Sequence, residues 1–157
     1  MDFEALLNDF TTAVETNDGA KLGALFADDG VYNDGFYGPF RGPAAIAKML
    51  TAHFWGTAKD FKWDMRNPVC DGDYGYAQYV FSYTSTQDSA PGRRVVFEGF
   101  GRFHLVDGKI KDYAETFDTG IALTQIDFPV DHLTKFLGKA AARLRKKHAG
   151  SAHLQRD

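Results

Sequence analysis

The order of hydrophobic patterns along the chain is the feature that most constrains its fold. Up to about Lys59 the apolar residues recur every three or four positions, which is the period of an α-helix. Beyond Lys59 they alternate with polar residues, which is the period of a β-strand. Helices followed by strands predict an α+β domain in which the helices cover one face of a curved sheet.

Three helices are predicted in the first half of the chain. The first covers residues 3–15 and has an apolar stripe made of Phe3, Leu6, Leu7, Phe10 and Val14. A shorter helix over residues 20–26 ends at "DDG". The third begins at Pro43 and continues through "AAIAKMLTAHF", because proline is favoured as the first residue of a helix. Between the second and third helices, "VYNDGFYGPFRG" predicts a short strand that runs into a glycine-rich loop.

The second half of the chain predicts an antiparallel meander. Its strands are the alternating run around Phe61, Trp63 and Met65, the segment "YAQYVFSYTST", and the pair "RVVFEGFGRFHLV" and "KIKDYAETFD" joined by the turn "DGK". In "RVVFEGFGRFHLV" we expect Glu98 and Arg102 on the outer face and Phe103 on the opposite one. Gly99 and Gly101 then indicate a bend of the sheet or the close approach of a ligand, and we favour the bend.

Composition indicates one domain with a terminal extension. With 157 residues, 44% hydrophobic and 15% aromatic, the chain can form a single core and an apolar pocket. We place the domain at residues 1–129, a basic amphipathic helix at 130–148 and a disordered tail at 149–157. The net charge is −3, but residues 1–129 contain eleven Lys/Arg against nineteen Asp/Glu, or −8. An acidic domain of this kind argues against nucleic-acid binding.

Two interpretations of the basic helix stay open. From residue 130 onward there are seven Lys/Arg against two Asp/Glu, with Leu133, Phe136, Leu137 and Leu144 in an apolar stripe. The helix could bind an anionic membrane surface or nucleic acid. The interpretation we favour is that it docks on the acidic body of its own chain or of a partner subunit.

Cysteine usage and hydropathy indicate a cytoplasmic protein. Cys70 is the only cysteine, so an internal disulfide is impossible and no cysteine pair suggests a metal site. We therefore expect neither a metal nor another cofactor. No segment approaches the length of a membrane span, and the N-terminus "MDFEALLNDF" lacks the pattern of a signal peptide.

A carboxyl group in the last strand is the main candidate for chemistry. In "DYAETFD" alternation places Tyr113, Glu115 and Phe117 on one face, so a carboxylate lies between two aromatic rings. Burial there would raise the pKa of Glu115 and make it a usable acid or base near neutral pH. The alternative, which we consider equally, is a structural glutamate hydrogen-bonded to a neighbouring polar side chain.

Two segments resemble a known family. "FADDGVYNDGFYGPFRGPAAIAKML" and "FGRFHLVDGKIKDYAETFD", with the order of elements, are similar to the nuclear transport factor 2-like superfamily over residues 3–128. The SnoaL-like, limonene epoxide hydrolase-like and ketosteroid isomerase-like branch is the most similar part of it. The resemblance implies a cone-shaped, mixed but mostly antiparallel sheet wrapped around N-terminal helices, and a homodimer formed through the outer sheet face.

The resemblance also implies candidate site residues. Glu115 lies near the position where similar proteins carry an acid/base aspartate, and it adds one methylene to the side chain. Tyr32 and Asp34 match a Tyr and an Asn that position water in epoxide hydrolases. Asp34 could share a proton with Glu115 or could only order the "NDG" turn, and we favour the turn. The strand "YAQYVFSYTS" lacks the Arg and Asp that epoxide hydrolases use, which argues against that reaction.

Further residues are assigned to substrate binding. Besides Tyr32, we predict contacts to a small apolar molecule from His53, Trp63, Tyr79, Tyr113 and Phe117. A core position for His53 is the alternative. For "FDTGIALTQIDFP" the resemblance implies a lid over the pocket, and Asp118 is expected to cap its helix.

Two functions follow from these features. The first is a cofactor-independent isomerase, cyclase or hydrolase acting on a terpenoid, steroid or polyketide-like compound through Glu115 and Asp34. The alternative is a non-catalytic module of the same fold, which binds a small ligand or assembles through its sheet.

Overall fold

A computed structural model describes residues 2–155 as an α+β domain with a terminal helix. The helices are α1 (Phe3–Glu15), α2 (Gly19–Ala24), α3 (Pro43–Met49), α4 (Thr119–Thr124) and α5 (Val130–Lys147). The strands are β1 (Phe26–Asp34), β2 (Gly38–Arg41), β3 (Ala58–Asp71), β4 (Tyr74–Ser85), β5 (Arg94–Val106) and β6 (Lys109–Phe117).

The six strands form one sheet in the order β2-β1-β6-β5-β4-β3. β3 to β6 form the predicted antiparallel meander, and β1 also pairs antiparallel with β2. The pairing of β1 with β6 is parallel, so the sheet is mixed. The α+β fold class, with a mostly antiparallel curved sheet against N-terminal helices, is confirmed.

Helix α1 begins and ends where its pattern predicts. The side chain of Asp2 accepts a hydrogen bond from Ala5 N at 3.1 Å and so caps the first turn. The apolar stripe of α1 is buried in the core, where the ring of Phe10 contacts those of Tyr32, Trp63 and Tyr113. Helix α1 therefore packs against the sheet through this aromatic core.

Three predicted elements differ locally from the structure. The segment after β1 is a hairpin, because Asp34 pairs with Gly38 and the chain returns as β2 instead of remaining a loop. The second helix ends two residues earlier than expected, at Ala24. The third helix changes at Leu50 into a π-helical turn over Leu50–Phe54. π-Helical turns are rare in proteins, and many of those that occur lie at functional sites.

The two glycines of β5 are explained by packing. A Cβ on Gly99 would lie 2.6 Å from the Tyr79 ring and 2.6 Å from the carbonyl oxygen of Thr116. A Cβ on Gly101 would lie 3.1 Å from the Tyr113 ring. The atoms that leave little room for a side chain at these two positions therefore include tyrosine rings of the protein itself. Phe103 is buried and Glu98 and Arg102 are exposed, as alternation predicts.

The C-terminal segments lie at one end of the domain. Asp118 caps α4 as predicted, since its Oδ1 accepts hydrogen bonds from Gly120 N at 2.9 Å and Ile121 N at 3.1 Å. Helix α5 has no buried side chain. Residues 149–155 form turns and a bend, while Arg156 and Asp157 of the predicted disordered tail lie outside the described residues. No helix within residues 2–155 is long and apolar enough to cross a membrane.

Candidate active site

An aromatic cavity of about 260 Å³ lies between the inner face of the sheet and the helices. Most of its wall is aromatic, formed by Tyr32, Phe36, Tyr37, Phe54, Phe61, Trp63, Phe81, Tyr83, Phe97, Phe117, Phe128 and Phe136. The acidic groups in the wall are Asp34 and Glu115, and among the described residues the wall contains no Lys or Arg. The cavity is therefore mainly apolar, and the two carboxyl groups are its acidic part, with His53, Thr57 and Gln87 as further polar residues in the wall.

The parallel pairing of β1 with β6 brings these two carboxyl groups together. In its register Tyr32 lies beside Tyr113 and Asn33 beside Ala114, so Asp34 follows next to Glu115. The turn after β1 strengthens the contact, because Gly35 N donates a hydrogen bond to Glu115 Oε1 at 3.2 Å. A Cβ on Gly35 would lie 2.5 Å from the Phe117 ring, so a larger residue here would require that ring to move.

Glu115 is partly buried and has hydrogen-bond donors on both oxygens. The hydroxyls of Tyr79 and Tyr113 donate to Oε2 at 3.3 and 3.1 Å. Loss of solvent, followed by the nearby charge of Asp34, raises the pKa of Glu115 to about 8. The hydrogen bonds from Gly35 N and the two tyrosines act in the opposite direction but do not outweigh burial. Glu115 therefore carries a proton at neutral pH.

Asp34 combines the two roles that its sequence context left open. Its Oδ1 accepts hydrogen bonds from Phe36 N and Tyr37 N, both at 2.8 Å, so it orders the turn as predicted. It also lies in the cavity wall, where burial raises its pKa while the two backbone bonds and nearby His53 oppose that shift. Of the two acids, Asp34 has the better support for negative charge, because two short backbone bonds stabilise its ionised form.

Two buried donors in the wall have no partner. Tyr32 Oη and Trp63 Nε1 are inaccessible to solvent and make no hydrogen bond within the described residues. Both side chains line the cavity and pack against the ring of Phe10. An unsatisfied buried donor is destabilising, so these two groups lower the stability of the aromatic packing around Phe10.

His53 lies at the mouth of the cavity and not in the core. It is exposed, and it stacks on Tyr37 with ring centroids 4.9 Å apart. Phe40 contacts its ring as well, at 5.5 Å. The π-helical turn presents His53 at this position while the next residue, Phe54, is buried in the wall.

The remaining predicted binding residues divide into two groups. Phe117 lines the cavity, where its ring stacks on Phe97 at 4.4 Å. Tyr79 and Tyr113 are buried behind the wall and contact Glu115 through their hydroxyls. They hold the carboxyl group in place and do not line the cavity, which is a different role from the predicted ligand contact.

Sequence reasoning missed several wall residues. Phe61 alternates with Trp63 along β3, and Phe81 and Tyr83 alternate with Tyr79 along β4, so period-two spacing could have identified them. The inner face of β4 is thereby assigned to Tyr79 and Phe81, with Gln78 outside. Phe36 and Phe136 had no such signal, because they come from a turn and from the terminal helix.

The segment after β6 covers one side of the cavity, as the resemblance implies. Its wall residues Leu123, Ile126 and Phe128 lie in α4 and the following loop. Gln125 fixes the segment to the free edge of β5, where its side chain accepts from Val96 N at 3.0 Å and donates to Val96 O at 2.8 Å. Residues 2–155 contain no cluster of His, Cys, Asp and Glu suited to a metal ion.

The family model for the SnoaL-like domain matches residues 7–113, which is more than half of the chain. The chain belongs to the SnoaL-like family. It shares the nuclear transport factor 2-like fold with many solved structures, whereas no curated protein sequence matches it. The recognition made from the two quoted segments is confirmed.

Three solved structures illustrate the similarity. A protein of ketosteroid isomerase-like fold from Catenulispora acidiphila, in complex with trimethylamine, has a TM-score of 0.72 at 19% identity, with 80% of this chain and 95% of that one covered. An LEH-like epoxide hydrolase from M. tuberculosis has a TM-score of 0.63 at 21% identity, covering 83% and 92%. A proposed polyketide cyclase from Xanthomonas campestris has a TM-score of 0.63 at 21% identity, covering 78% and 95%. At these identities the likeness establishes the fold alone.

Proposed function

We propose that this SnoaL-like protein is a cofactor-independent enzyme that transfers protons on a small, mainly apolar molecule. The observation that supports it best is a partly buried Glu115 whose pKa is raised to about 8, next to a second carboxyl group in the cavity wall. An acid and a base in one largely apolar cavity suit isomerisation, cyclisation or water addition. Epoxide hydrolase, isomerase-like and cyclase relatives are compatible with that range.

The two carboxyl groups take different roles in this proposal. Glu115 holds the proton and donates it to an oxygen of the substrate, while ionised Asp34 accepts a proton from carbon or from water. After this step Asp34 is protonated and Glu115 is ionised. Proton exchange with solvent past His53 then returns both carboxyl groups to their starting states. Two unlike carboxyl environments are what such a division needs, and the backbone bonds to Asp34 provide the difference.

The wall chemistry limits the substrate. A cavity of about 260 Å³ is slightly smaller than the roughly 300–1,000 Å³ of pockets for drug-sized ligands, so it favours a small compound such as a monocyclic terpenoid or a similar ring. Protonated Glu115 favours a ligand with a carbonyl, hydroxyl or ether oxygen, to which it can donate a hydrogen bond. A carboxylate ligand would be repelled by Asp34.

A non-catalytic binding module is the second candidate. It is favoured by the hydrogen bonds that Tyr79 and Tyr113 make to Glu115, since the same contacts would serve a purely structural glutamate. In that case Glu115 need not change its protonation during ligand binding or release. Ionisation of Glu115 in the working pH range therefore separates the two functions.

The decisive measurement is the titration of the Glu115 carboxyl carbon by NMR. We expect a pKa near 8 in the wild type, far above the ordinary 4.5, because burial and Asp34 both oppose ionisation. In Asp34→Asn the neighbouring charge is removed, so the pKa of Glu115 should fall while staying above 4.5. The matched control is Asp112→Asn, a carboxyl of the same strand that pairs with Arg102 away from the cavity.

The outcomes of this titration are distinct. If the pKa of Glu115 is ordinary and is the same in Asp34→Asn, the acid/base proposal is contradicted and the non-catalytic binding module is favoured. A raised and coupled pKa would support the enzyme and justify assays with small cyclic ketones, enones and epoxides. Loss of proton transfer in Glu115→Gln, with ligand binding retained, would complete the case.

We further propose that two copies associate through the outer face of the sheet and that the protein is cytoplasmic. Tyr76, Val96 and Phe100 are exposed on that face, Phe100 by 59%, beside a shallow groove of about 630 Å³. Cys70 is an exposed free thiol, which suits a reducing compartment. Sedimentation equilibrium should give a dimer for the wild type and a monomer for Phe100→Lys. A wild-type monomer at high concentration would contradict the dimer.

A further inference from the structure

Helix α5 rests on the domain through a narrow strip of its surface. Only Leu133, Phe136 and Ala140 are half-buried within the 18-residue helix, and no side chain in it is fully buried. Phe136 reaches the cavity wall, where its ring lies 6.5 Å from that of Phe36. The rest of the helix circumference is open to solvent.

The open surface of α5 contains a line of apolar side chains. Val130, Leu137 and Leu144 are seven residues apart, so they lie on one side of the helix, and they are 79%, 42% and 60% exposed. Helix α4 has an exposed apolar side chain as well, Ile121, which is 56% exposed. The two helices are neighbours, since Leu137 Cδ1 lies 3.9 Å from the Cβ position of Gly120.

Basic side chains cover most of the remaining surface of α5. They are Lys135, Lys139, Arg143, Arg145, Lys146 and Lys147, against the single acid Asp131. Arg145 and Lys147 flank the apolar line at Leu144, Arg143 lies somewhat further round the helix, and Lys135, Lys139 and Lys146 lie on the far side. An apolar line flanked by cations near its end and opposed by a basic face, in a helix of low overall hydrophobicity, is the pattern of a helix that lies in a lipid interface.

The acidic domain does not satisfy these cations. Within residues 2–155 the only ion pairs of α5 are internal, from His132 and Lys135 to Asp131. The contact with the domain is apolar, so the favoured interpretation of charge-driven docking is not what holds α5 to its own chain. Nucleic acid would match the charge but would leave the apolar line in water.

We propose that the exposed face of α5, together with Ile121 of α4, docks the protein on an anionic lipid membrane. The helix lies parallel to the surface, with Val130, Leu137 and Leu144 in the headgroup region, Arg143, Arg145 and Lys147 nearest the lipid phosphates and carboxylates, and the other cations facing water. Charge complementarity and the apolar line act together, because each Lys or Arg near an anionic leaflet adds to apolar burial.

Docking would also bring the cavity close to the lipid. Phe136 belongs to α5, and Leu123 and Phe128 of the adjoining segment line the same cavity. A small apolar substrate dissolved in the bilayer would then reach the site without crossing water. This second step rests on the proposed function, whereas the docking itself does not.

The test is co-sedimentation of the full chain with vesicles. We compare phosphatidylcholine alone with phosphatidylcholine containing about one phosphatidylserine in three lipids, at low and high salt. The wild type should bind the anionic vesicles and be released by salt. Arg143→Glu with Arg145→Glu and Lys147→Glu should weaken binding by roughly tenfold or more. Leu144→Ser should weaken it as well without changing the charge.

The matched control changes the net charge equally on another surface. Lys48→Glu with Lys59→Glu and Lys62→Glu alters exposed lysines on α3 and β3, and it should retain anionic-vesicle binding within about twofold. Equal loss in both triple variants, or equal binding to neutral vesicles, would overturn the proposal. So would a wild-type dimer that Leu144→Ser dissociates, or displacement of the vesicles by a random DNA duplex. The Glu115 titration in the α5 variants should be unchanged, so failure of docking and failure of the acid/base proposal are distinguishable.

Discussion

At the scale of single residues, the behaviour of Glu115 is decided by the balance between burial and hydrogen bonding. Three donors reach its carboxyl group, from Gly35 N, Tyr79 and Tyr113, and each favours the ionised form. Exclusion of water and the charge of Asp34 favour the protonated form and dominate. The same residue would have an ordinary pKa on the outer face of β6, so its chemistry comes from its side of the sheet.

The raised pKa of Glu115 predicts a dependence of stability on pH. The folded protein binds this proton more tightly than the unfolded chain, so the stabilisation is fully present below pH 4.5 and is lost between pH 4.5 and about 8. The free energy of unfolding should fall over that window by an amount on the order of a few kcal/mol. Urea unfolding at a series of pH values measures it.

Glu115→Gln is the matched variant for this prediction. Glutamine is neutral and similar in shape, so the fall between pH 4.5 and about 8 should largely disappear while the unfolding free energy at pH 5 changes by about 1 kcal/mol or less. If wild type and variant show parallel pH profiles, the carboxyl does not titrate as proposed.

Gly99→Ala tests the close packing behind the carboxyl. The added Cβ would lie 2.6 Å from the Tyr79 ring, so Tyr79 must move and its bond to Glu115 weaken. We expect a loss of about 1–3 kcal/mol in unfolding free energy. Gly138→Ala is the control, because no atom lies within 4 Å of its Cβ position. In helix α5 it should stabilise by about 0.5–1 kcal/mol, and an equal loss at both positions would refute the packing explanation.

At the scale of elements, the segment containing α4 is tied to the sheet at its outer end. Its Gln125 occupies both hydrogen-bonding groups of Val96, on the part of β5 that extends beyond β6. Arg93 forms an ion pair with Asp127 of the same segment. Because these ties are exposed, they hold a cover over the cavity that opens more easily than the core.

Removal of the Gln125 side chain should loosen this cover. In Gln125→Ala the Val96 amide loses its acceptor, so its hydrogen exchange should accelerate by tenfold or so, corresponding to about 1 kcal/mol. Val95 N–H and the other amides of the meander should keep their protection. Unchanged exchange at Val96 would mean that the segment is held by Leu123 and Ile126 alone.

Element positions were predictable where one pattern dominated locally. Helix α1 follows from its apolar stripe and its Asp2 cap, and β6 follows from alternation around Glu115. Strand β2 was missed because Gly38 and Pro39 resemble loop residues, and its pairing with β1 depends on the sheet already being present. The π-helical turn at Leu50 was missed for a similar reason, since its sequence continues a helical pattern.

At the scale of the whole molecule, α5 is attached to the domain and is not part of its core. No α5 side chain is buried, and the half-buried contacts come from Leu133, Phe136 and Ala140. The domain boundary predicted at residue 129 is therefore testable, although Phe136 also contributes to the cavity wall.

The chain truncated to residues 1–129 should fold by itself. We expect cooperative thermal unfolding with the free energy lowered by about 2 kcal/mol or less, since only partly buried apolar surface is removed. Binding of a hydrophobic fluorescent dye should increase, because the loss of Phe136 opens the cavity. Non-cooperative unfolding would show that α5 belongs to the folding unit.

The sequence by itself determined the local features of this protein. Hydrophobic periods give the α+β class and the meander, and alternation puts Glu115 between aromatic rings, because both depend only on neighbours along the chain. The tertiary structure alone decided that Asp34 meets Glu115 across the parallel β1–β6 pair, that Tyr79 and Tyr113 support the carboxyl group, and that α5 completes the cavity. These contacts join residues far apart in the chain, and only packing of the whole aromatic core selects the register that brings them together.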